Sequence, residues 1–282
     1  MRFIDIHSHV QFVAYEADRD AVMMRAREAD TAMINVGTQK DTSKAAVELA
    51  HKYPDIAWAT IGLHPIHTSK SFHDAKELGP SFAKASEGKD EGFTSRGEEF
   101  DYDYYLELGK DPRVVGIGEC GLDYYRLTPE TKTKQHEVFI KQIELAKELK
   151  KPLMLHIRDA YEDALALLTT HYPLRTNPGD CHFFAGDWDI AKQFLDLGFT
   201  LSFTGVITFT KDYDEVVKNT PLDMILTETD SPYVTPVPLR GKRNEPVNVR
   251  YVVQRIAEIK GLPVEEVQQA VVENAKRVFG IK

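Results

Sequence analysis

Short apolar runs recur along the chain, and longer segments of mixed apolar and charged residues separate them. We predict that the runs are β-strands, at Phe3–Ile6, Ala32–Val36, Ala57–Ile61, Val114–Ile117, Leu153–Leu155, Asp180–Phe183, Thr200–Phe203 and Met224–Leu226. The segments between them have the period of amphipathic helices, and the clearest one places Phe139, Ile143 and Ala146 on one face. Strands that alternate with helices predict parallel β-α units.

Eight β-α units predict a single closed (β/α)8 TIM barrel that spans residues 1–282, a common length for this fold. The main alternative is a doubly wound open sheet. That fold usually carries a nucleotide site with a glycine-rich first turn, and the corresponding segment here, DIHSHVQF, contains no glycine. The sequence therefore favours the barrel.

One segment interrupts the alternation of strands and helices. Residues around 74–100, between the third and fourth predicted strands, are rich in charged residues, glycine and serine. The simpler interpretation is a solvated loop lengthened by insertion, and the alternative is a lid over a functional site.

Composition and charge restrict the class of protein. A net charge of −9 argues against binding of long nucleic acid through bulk charge, although a local basic patch stays possible. No apolar run approaches membrane-spanning length, and Asp5 and His7 lie where a secretory signal needs apolar residues. Cys120 and Cys181 form no spacing pattern, which suits a reducing compartment. We expect a cytoplasmic monomer without a membrane partner.

Polar side chains follow the predicted strands at their carboxyl ends, where barrels of this kind carry their chemistry. His7 and His9 share one face of the first strand because side chains alternate along it. The other strand ends supply His64, Glu119, His156, Arg158, His182, Glu228 and Asp230. Each residue alone could be a structural group or a helix cap, but together they would be costly to desolvate without divalent cations.

The candidate ligands divide between two divalent metal ions. His7, His9 and Asp230 could hold one ion, and a second group consisting of His156 and His182 could hold the other, with Glu119 bridging them. Two such ions, roughly 3.5–4 Å apart, would activate a shared water. Asp230 could accept the proton of that water. Glu228 is expected to lie behind the ligands and to contact them rather than the metal. The ligand types suit Zn²⁺, Mn²⁺ or Mg²⁺.

The order of these motifs resembles the TatD family of metal-dependent deoxyribonucleases, a branch of the amidohydrolase superfamily. The resemblance runs over nearly the whole chain, through DIHSHV, GLHP, GIGECGLDYYR, PLMLHIRDA, CHFFAG, LTETDSPY and GKRNEP. It implies a (β/α)8 barrel, a divalent-metal site and hydrolysis of DNA phosphodiester bonds, often from the end of a strand. Because the motifs match, the resemblance implies that the metal ligands are His7, His9, Glu119, His156, His182 and Asp230. Glu119 and Asp230 are also expected to be catalytic. The segment before Phe100 departs from the compact family pattern.

Candidate substrate contacts lie near the ligand motifs. Arginine can bind phosphate oxygens in a fork, and this would offset the negative charge of the chain locally. The candidates are His64, Arg126, Arg158, Arg240 and Arg243. The alternative is that the arginines are surface charges that pair with acidic neighbours.

Three other functions are conceivable for a barrel with this set of residues. A small-molecule amidohydrolase often bridges its metals with a modified lysine, whereas the fourth strand here ends in Glu119, which favours the phosphodiesterase. A D-aminoacyl-tRNA deacylase could use the same metal site. A non-catalytic barrel would be expected to have lost ligands, and none of the expected ones is missing.

Overall fold

The computed structural model describes residues 1–73, 93–125, 128–172 and 178–282. Its strands are β1 (Phe3–Ser8), β2 (Thr31–Val36), β3 (Ala57–Ile61), β4 (Lys70–His73), β5 (Phe93–Arg96), β6 (Val114–Asp123), β7 (Leu153–Arg158), β8 (Gly179–Cys181), β9 (Thr200–Phe203) and β10 (Ile225–Thr227). Each of the eight predicted strands overlaps one of these, although β1, β6, β7 and β10 extend beyond their predicted ends and β8 ends before its predicted end.

Eight of the strands form one sheet in the order β1-β2-β3-β6-β7-β8-β9-β10. All neighbouring pairs are parallel. The two ends of the sheet meet, because the His9 amide donates to Ser231 O at 2.8 Å and the Asp230 amide donates to His7 O at 2.9 Å. The sheet is therefore nearly closed, and the predicted barrel is confirmed.

Helices connect the strands and pack against the outside of the sheet. They are α1 (Arg19–Glu28), α2 (Lys40–Lys52), α3 (Tyr102–Gly109), α4 (Pro129–Leu149), α5 (Tyr161–His171), α6 (Trp188–Asp196), α7 (Asp214–Asn219), α8 (Val249–Lys260) and α9 (Val264–Phe279). None of the helices in the described ranges has the length and apolar composition needed to cross a bilayer.

Helix α4 shows how local sequence determines an element. It begins after a reciprocal cap between Thr128 and Thr131, with Pro129 in the first turn, where its missing N–H costs nothing. Its predicted apolar face is buried and includes Phe139 and Ile143. The same face fixes where α4 lies against the barrel.

The C-terminal helix α9 holds the start of β10. Asn274 on this helix is 5% exposed, and its side-chain amide donates to Leu222 O and Ile225 O, each at 2.9 Å. Gly280 ends the helix with a φ of +64°, in the left-handed region that glycine adopts without strain. Helix α9 therefore fixes the strand that leads to Asp230.

The predicted insertion around 74–100 lies only partly within the described residues. Residues 74–92 lie outside them. On either side of this gap, β4 and β5 form an antiparallel pair in which Lys70 lies opposite Arg96. This small second sheet was not predicted, and it follows directly after the segment that carries His64.

Candidate metal centre

Six polar side chains from different strand ends converge at one end of the barrel. They come together because parallel strands place all their carboxyl ends on the same side. The set comprises His7, His9, Glu119, His156, His182 and Asp230, the residues expected as ligands, and His64 joins it.

His7 and His9 form the first half of the cluster. Their Nε2 atoms lie 3.2 Å apart, and both rings are buried. His9 Nδ1 lies 2.8 Å from Val36 O, so it carries the proton and leaves the Nε2 lone pair facing the cluster. Asp230 Oδ1 is 3.5 Å from His9 Nε2, and Glu119 Oε2 is 3.4 Å from His7 Nε2. Two imidazoles and two carboxylates therefore surround one point.

The second half of the cluster surrounds the other oxygen of Glu119. Its Oε1 lies 2.9 Å from His156 Nδ1, 3.2 Å from His64 Nε2 and 3.6 Å from His182 Nε2. Glu119 is 4% exposed. One buried carboxylate thus presents one oxygen to each half, which is the arrangement that a bridge between two ions would require.

Glycines explain how Glu119 reaches this position. A Cβ at Gly118 would lie 2.4 Å from Met154 O, and a Cβ at Gly121 would lie 2.1 Å from His156 O. Both glycines also have φ values that other residues rarely adopt, +153° and +139°. The glycines on either side of Glu119 therefore let β6 approach β7 closely, and this brings Glu119 beside His156.

Two further carboxylates lie behind the histidines. Asp123 Oδ2 is 3.0 Å from His156 Nε2, and Glu228 Oε1 is 2.8 Å from His182 Nδ1. Carboxylates in this position orient metal-binding imidazoles and raise their basicity. Glu228 lies where it was expected, whereas the role of Asp123 was missed. A signal existed, because Asp123 lies four residues after Glu119 and alternation places both on one face of β6.

Two glutamines of α4 hold the loops that carry these groups. The Gln135 side chain pairs with the backbone of Asp123, accepting from its N–H at 2.8 Å and donating to its carbonyl at 2.9 Å. Gln142 makes the same pair of bonds with Leu63, next to His64, at 2.8 and 3.0 Å. Helix α4 therefore positions both sides of the second half of the cluster.

Burial and mutual charge shift the protonation of the cluster. Burial, and secondarily repulsion from a protonated His182, lowers the pKa of His7 to about 4, so its ring is neutral at neutral pH. Burial alone would raise the pKa of Glu119, but His64, His7 and His156 outweigh it and hold that pKa well below its usual value. The pKa of His182 rises to about 10 despite burial, because Glu228 and Glu119 favour its charged form.

The donor set fits divalent cations. His7 Nδ1 is buried and has no hydrogen-bond partner among the described residues, while its Nε2 faces three other potential ligand atoms. Neutral imidazole nitrogens and ionised carboxylates are the ligands that Zn²⁺ and Mn²⁺ prefer. A divalent cation bound between these nitrogen and oxygen atoms would take the place of the protons that the atoms otherwise share.

A cleft of about 450 Å³ lies over the cluster. Of the residues expected to contact substrate, His64 and Arg158 line it. His64 also lies within the second half of the cluster, so its position is that of a candidate ligand as well as a substrate contact. The Arg158 guanidinium stacks 3.8 Å from the centre of the Tyr125 ring. Arg126 lies outside the described residues.

The two arginines of the GKRNEP region have different surroundings, and neither is among the residues that line the cleft. Arg240 is exposed, donates to Thr235 O at 2.8 Å and lies 3.9 Å from the centre of the Phe209 ring. Arg243 instead donates to both carboxylate oxygens of Asp18, at 2.8 and 2.7 Å, and to Ala14 O at 2.7 Å. The guanidinium of Arg243 therefore pairs with an acidic residue, which is the alternative stated for these arginines, although its main partner Asp18 was not expected.

Comparisons with known proteins identify relatives of this chain. Residues 4–280 match the family model described as TatD related DNase. An uncharacterized metal-dependent hydrolase of Bacillus subtilis, YabD, is 38% identical over 280 residues and covers 98% of both chains.

Solved structures share the fold over nearly the full length. YJJV, a TatD homolog from Escherichia coli, superposes with a TM-score of 0.80 at 26% identity, covering 100% of this chain and 99% of that one. A TatD family hydrolase from Entamoeba histolytica gives a TM-score of 0.79 at 22% identity, covering 98% and 97%. The chain belongs to the TatD-related DNase family and is a metal-dependent hydrolase.

Proposed function

We propose that the protein hydrolyses DNA phosphodiester bonds with two divalent ions, which the residues on either side of Glu119 would hold together with it, and that DNA is bound only transiently. The observation that carries the proposal is the division of the ligands around Glu119, whose Oε2 lies 3.4 Å from His7 Nε2 and whose Oε1 lies 2.9 Å from His156 Nδ1. Membership of the TatD-related DNase family supports DNA as the substrate.

The ions, when bound, would lower the pKa of a water and neutralise charge that develops on the phosphate. His7, His9 and Asp230 would hold one ion in the first half of the cluster. His64, His156 and His182 would hold the other ion in the second half. Asp123 keeps the His156 ring in place, and Glu228 does the same for His182. These contacts fix the ligands before the substrate arrives, so little reorganisation is needed during the reaction.

Asp230 is the proposed acceptor of the proton from the attacking water. Burial would raise its pKa, but His9, His182 and His7 outweigh burial and lower it, so the carboxylate is ionised at neutral pH. Asp230 also lines the cleft, where a water beside the substrate would lie. Arg158, which also lines the cleft, could offer its guanidinium to a phosphate oxygen.

The two arginines of the GKRNEP region should respond differently to substitution. Arg240→Ala is expected to weaken DNA binding and flatten its salt dependence, and to lower the melting temperature less than Arg243→Ala does, because the exposed Arg240 side chain loses a hydrogen bond to Thr235 O. Arg243→Ala is expected to lower the stability by about 1–2 kcal/mol, a shift of a few degrees in Tm, because it breaks the contacts with Asp18 and Ala14. Thermal melts and fluorescence anisotropy at several salt concentrations measure both. Loss of DNA affinity in a stable Arg243→Ala protein would contradict this division.

A substrate panel tests the proposed function. The purified protein is incubated with single-stranded DNA, duplex DNA, RNA and D-aminoacyl-tRNA, each with Mg²⁺, Mn²⁺ or Zn²⁺. We expect cleavage of DNA, and none in an identically purified Glu119→Gln protein, which controls for contaminating nucleases. Hydrolysis of the aminoacyl ester without cleavage of DNA would replace the proposal with the deacylase alternative.

A further inference from the structure

The cleft over the cluster has an apolar wall that the ligand chemistry does not use. Its side chains include Phe12, Ile66, Phe183, Tyr213 and Val234. The Phe12 ring already stacks on His9, with centroids 4.4 Å apart and planes 16° apart, so one of its faces is covered. Phenylalanine and aliphatic side chains do not bind metal ions, so these residues are available to contact an apolar part of the substrate.

Two residues of this wall have unusual backbone conformations. Phe183 has a φ of +46° and Val234 a φ of +49°. The left-handed region is rarely adopted by bulky or β-branched residues, because it is energetically unfavourable for them. Glycine would avoid this cost at both positions. The apolar side chains therefore occupy the cleft at the expense of backbone strain, as residues at functional sites do.

The surroundings of Phe183 fix its ring relative to the ligands. In the segment CHFFAG, Phe184 is 1% exposed and belongs to the core, whereas the half-buried Phe183 lines the cleft. The Phe183 amide donates to Glu228 Oε1 at 3.0 Å, the same oxygen that lies beside His182 Nδ1. The rings of His182 and Phe183 are 5.9 Å apart between centroids and nearly perpendicular, at 76°. One carboxylate thus contacts both a ligand and the backbone of the adjacent aromatic residue.

We propose that Phe183 is a specificity-determining residue that stacks on the base of the nucleotide whose phosphate lies at the metal cluster. The inference rests on the proposed function, because a phosphodiester bound at the cluster places its attached nucleoside against this wall. The cleft of about 450 Å³ is at the small end of ligand pockets, which suits one unstacked nucleotide. Stacking on an aromatic face accepts every base, so Phe183 distinguishes a base from no base rather than one base from another.

The test compares two single-stranded oligonucleotides that differ only in whether the nucleotide at the cleaved end carries a base or is abasic. Wild type should cleave the intact end about tenfold more efficiently in kcat/KM, the scale of one stacking contact. Phe183→Leu keeps the apolar volume without the aromatic face. It should reduce this preference to about twofold, because kcat/KM falls for the oligonucleotide that carries the terminal base and not for the abasic one. Phe183→Gly suits the left-handed backbone and should give the same result in a stable protein.

Tyr251→Leu is the matched control, because Tyr251 is a half-buried aromatic residue on α8 whose ring contacts Arg250. It should keep the wild-type preference. An unchanged preference in both Phe183 variants, or equal losses on both substrates, would overturn the assignment. Equal cleavage of both ends by wild type would also overturn it while leaving DNA hydrolysis intact. A wild-type protein that cleaves neither substrate with metal would overturn the proposed function and this inference with it.

Discussion

Asp230→Asn is expected to lower kcat by about 10²–10⁴, the usual scale for losing a general base, with a much smaller change in KM. The substitution keeps the shape of the side chain but removes the charge that faces His9 Nε2 at 3.5 Å. It also removes most of the basicity needed to accept a proton from water. The fold should be retained, because Asp230 has a φ of +51° and asparagine tolerates that region well.

Single-turnover cleavage of a labelled oligonucleotide at saturating metal measures this effect. Asp159→Asn is the matched control, because Asp159 is exposed, follows β7 and has a φ of +54°. The control should cleave at the wild-type rate, and both variants should melt with the wild type. An Asp230→Asn protein within a few-fold of wild type would remove Asp230 from the mechanism.

Glu119→Gln is expected to disrupt both halves of the metal centre in one step. The substitution replaces one of the two carboxylate oxygens with an NH₂ group, which cannot serve as a metal ligand. It also removes the negative charge that three histidines share within 3.6 Å of Oε1. Metal affinity should fall by more than the roughly 10–100-fold that follows loss of an outer partner.

Elemental analysis of metal bound per chain, after dialysis against a fixed concentration of Mn²⁺ or Zn²⁺, measures the loss. Asp123→Asn is the graded comparison, because Asp123 touches His156 and not Glu119, and it should weaken binding by about 10–100-fold. A Glu119→Gln protein that retains the wild-type metal content would show that Glu119 does not bridge the ligand groups.

The barrel and most of the cluster could be predicted because their signals are local. Along β1, Ile4 and Ile6 join an apolar cluster while Asp5 and His7 lie among the buried polar residues, as alternation requires. Once each strand end was identified, parallel topology brought the end residues together without further information. The order of the motifs then pointed to the family.

The end of β6 could not be predicted from pattern alone. The predicted strand ends at Ile117, where the apolar run ends, yet β6 continues to Asp123. The glycines on either side of Glu119 serve the close approach of β6 to β7, a property that depends on Met154 and His156 in another strand. The role of Asp123 was missed for the same reason.

The role of Arg243 depends on a contact that is distant in sequence. Its partner Asp18 is 225 residues away, and no local pattern connects a basic loop to the start of α1. An arginine next to a ligand motif therefore looks like a phosphate contact until the fold shows that its guanidinium is already paired.

Titration of metal into the stripped protein tests the account most directly. The protein is treated with chelator and dialysed, and cleavage of labelled DNA is then followed as Mn²⁺ or Zn²⁺ is added and bound metal is counted. We expect no cleavage by the stripped protein and recovery that is complete when two ions are bound per chain. Undiminished cleavage after stripping would contradict the metal centre, and full recovery with a single bound ion would contradict the bridge at Glu119.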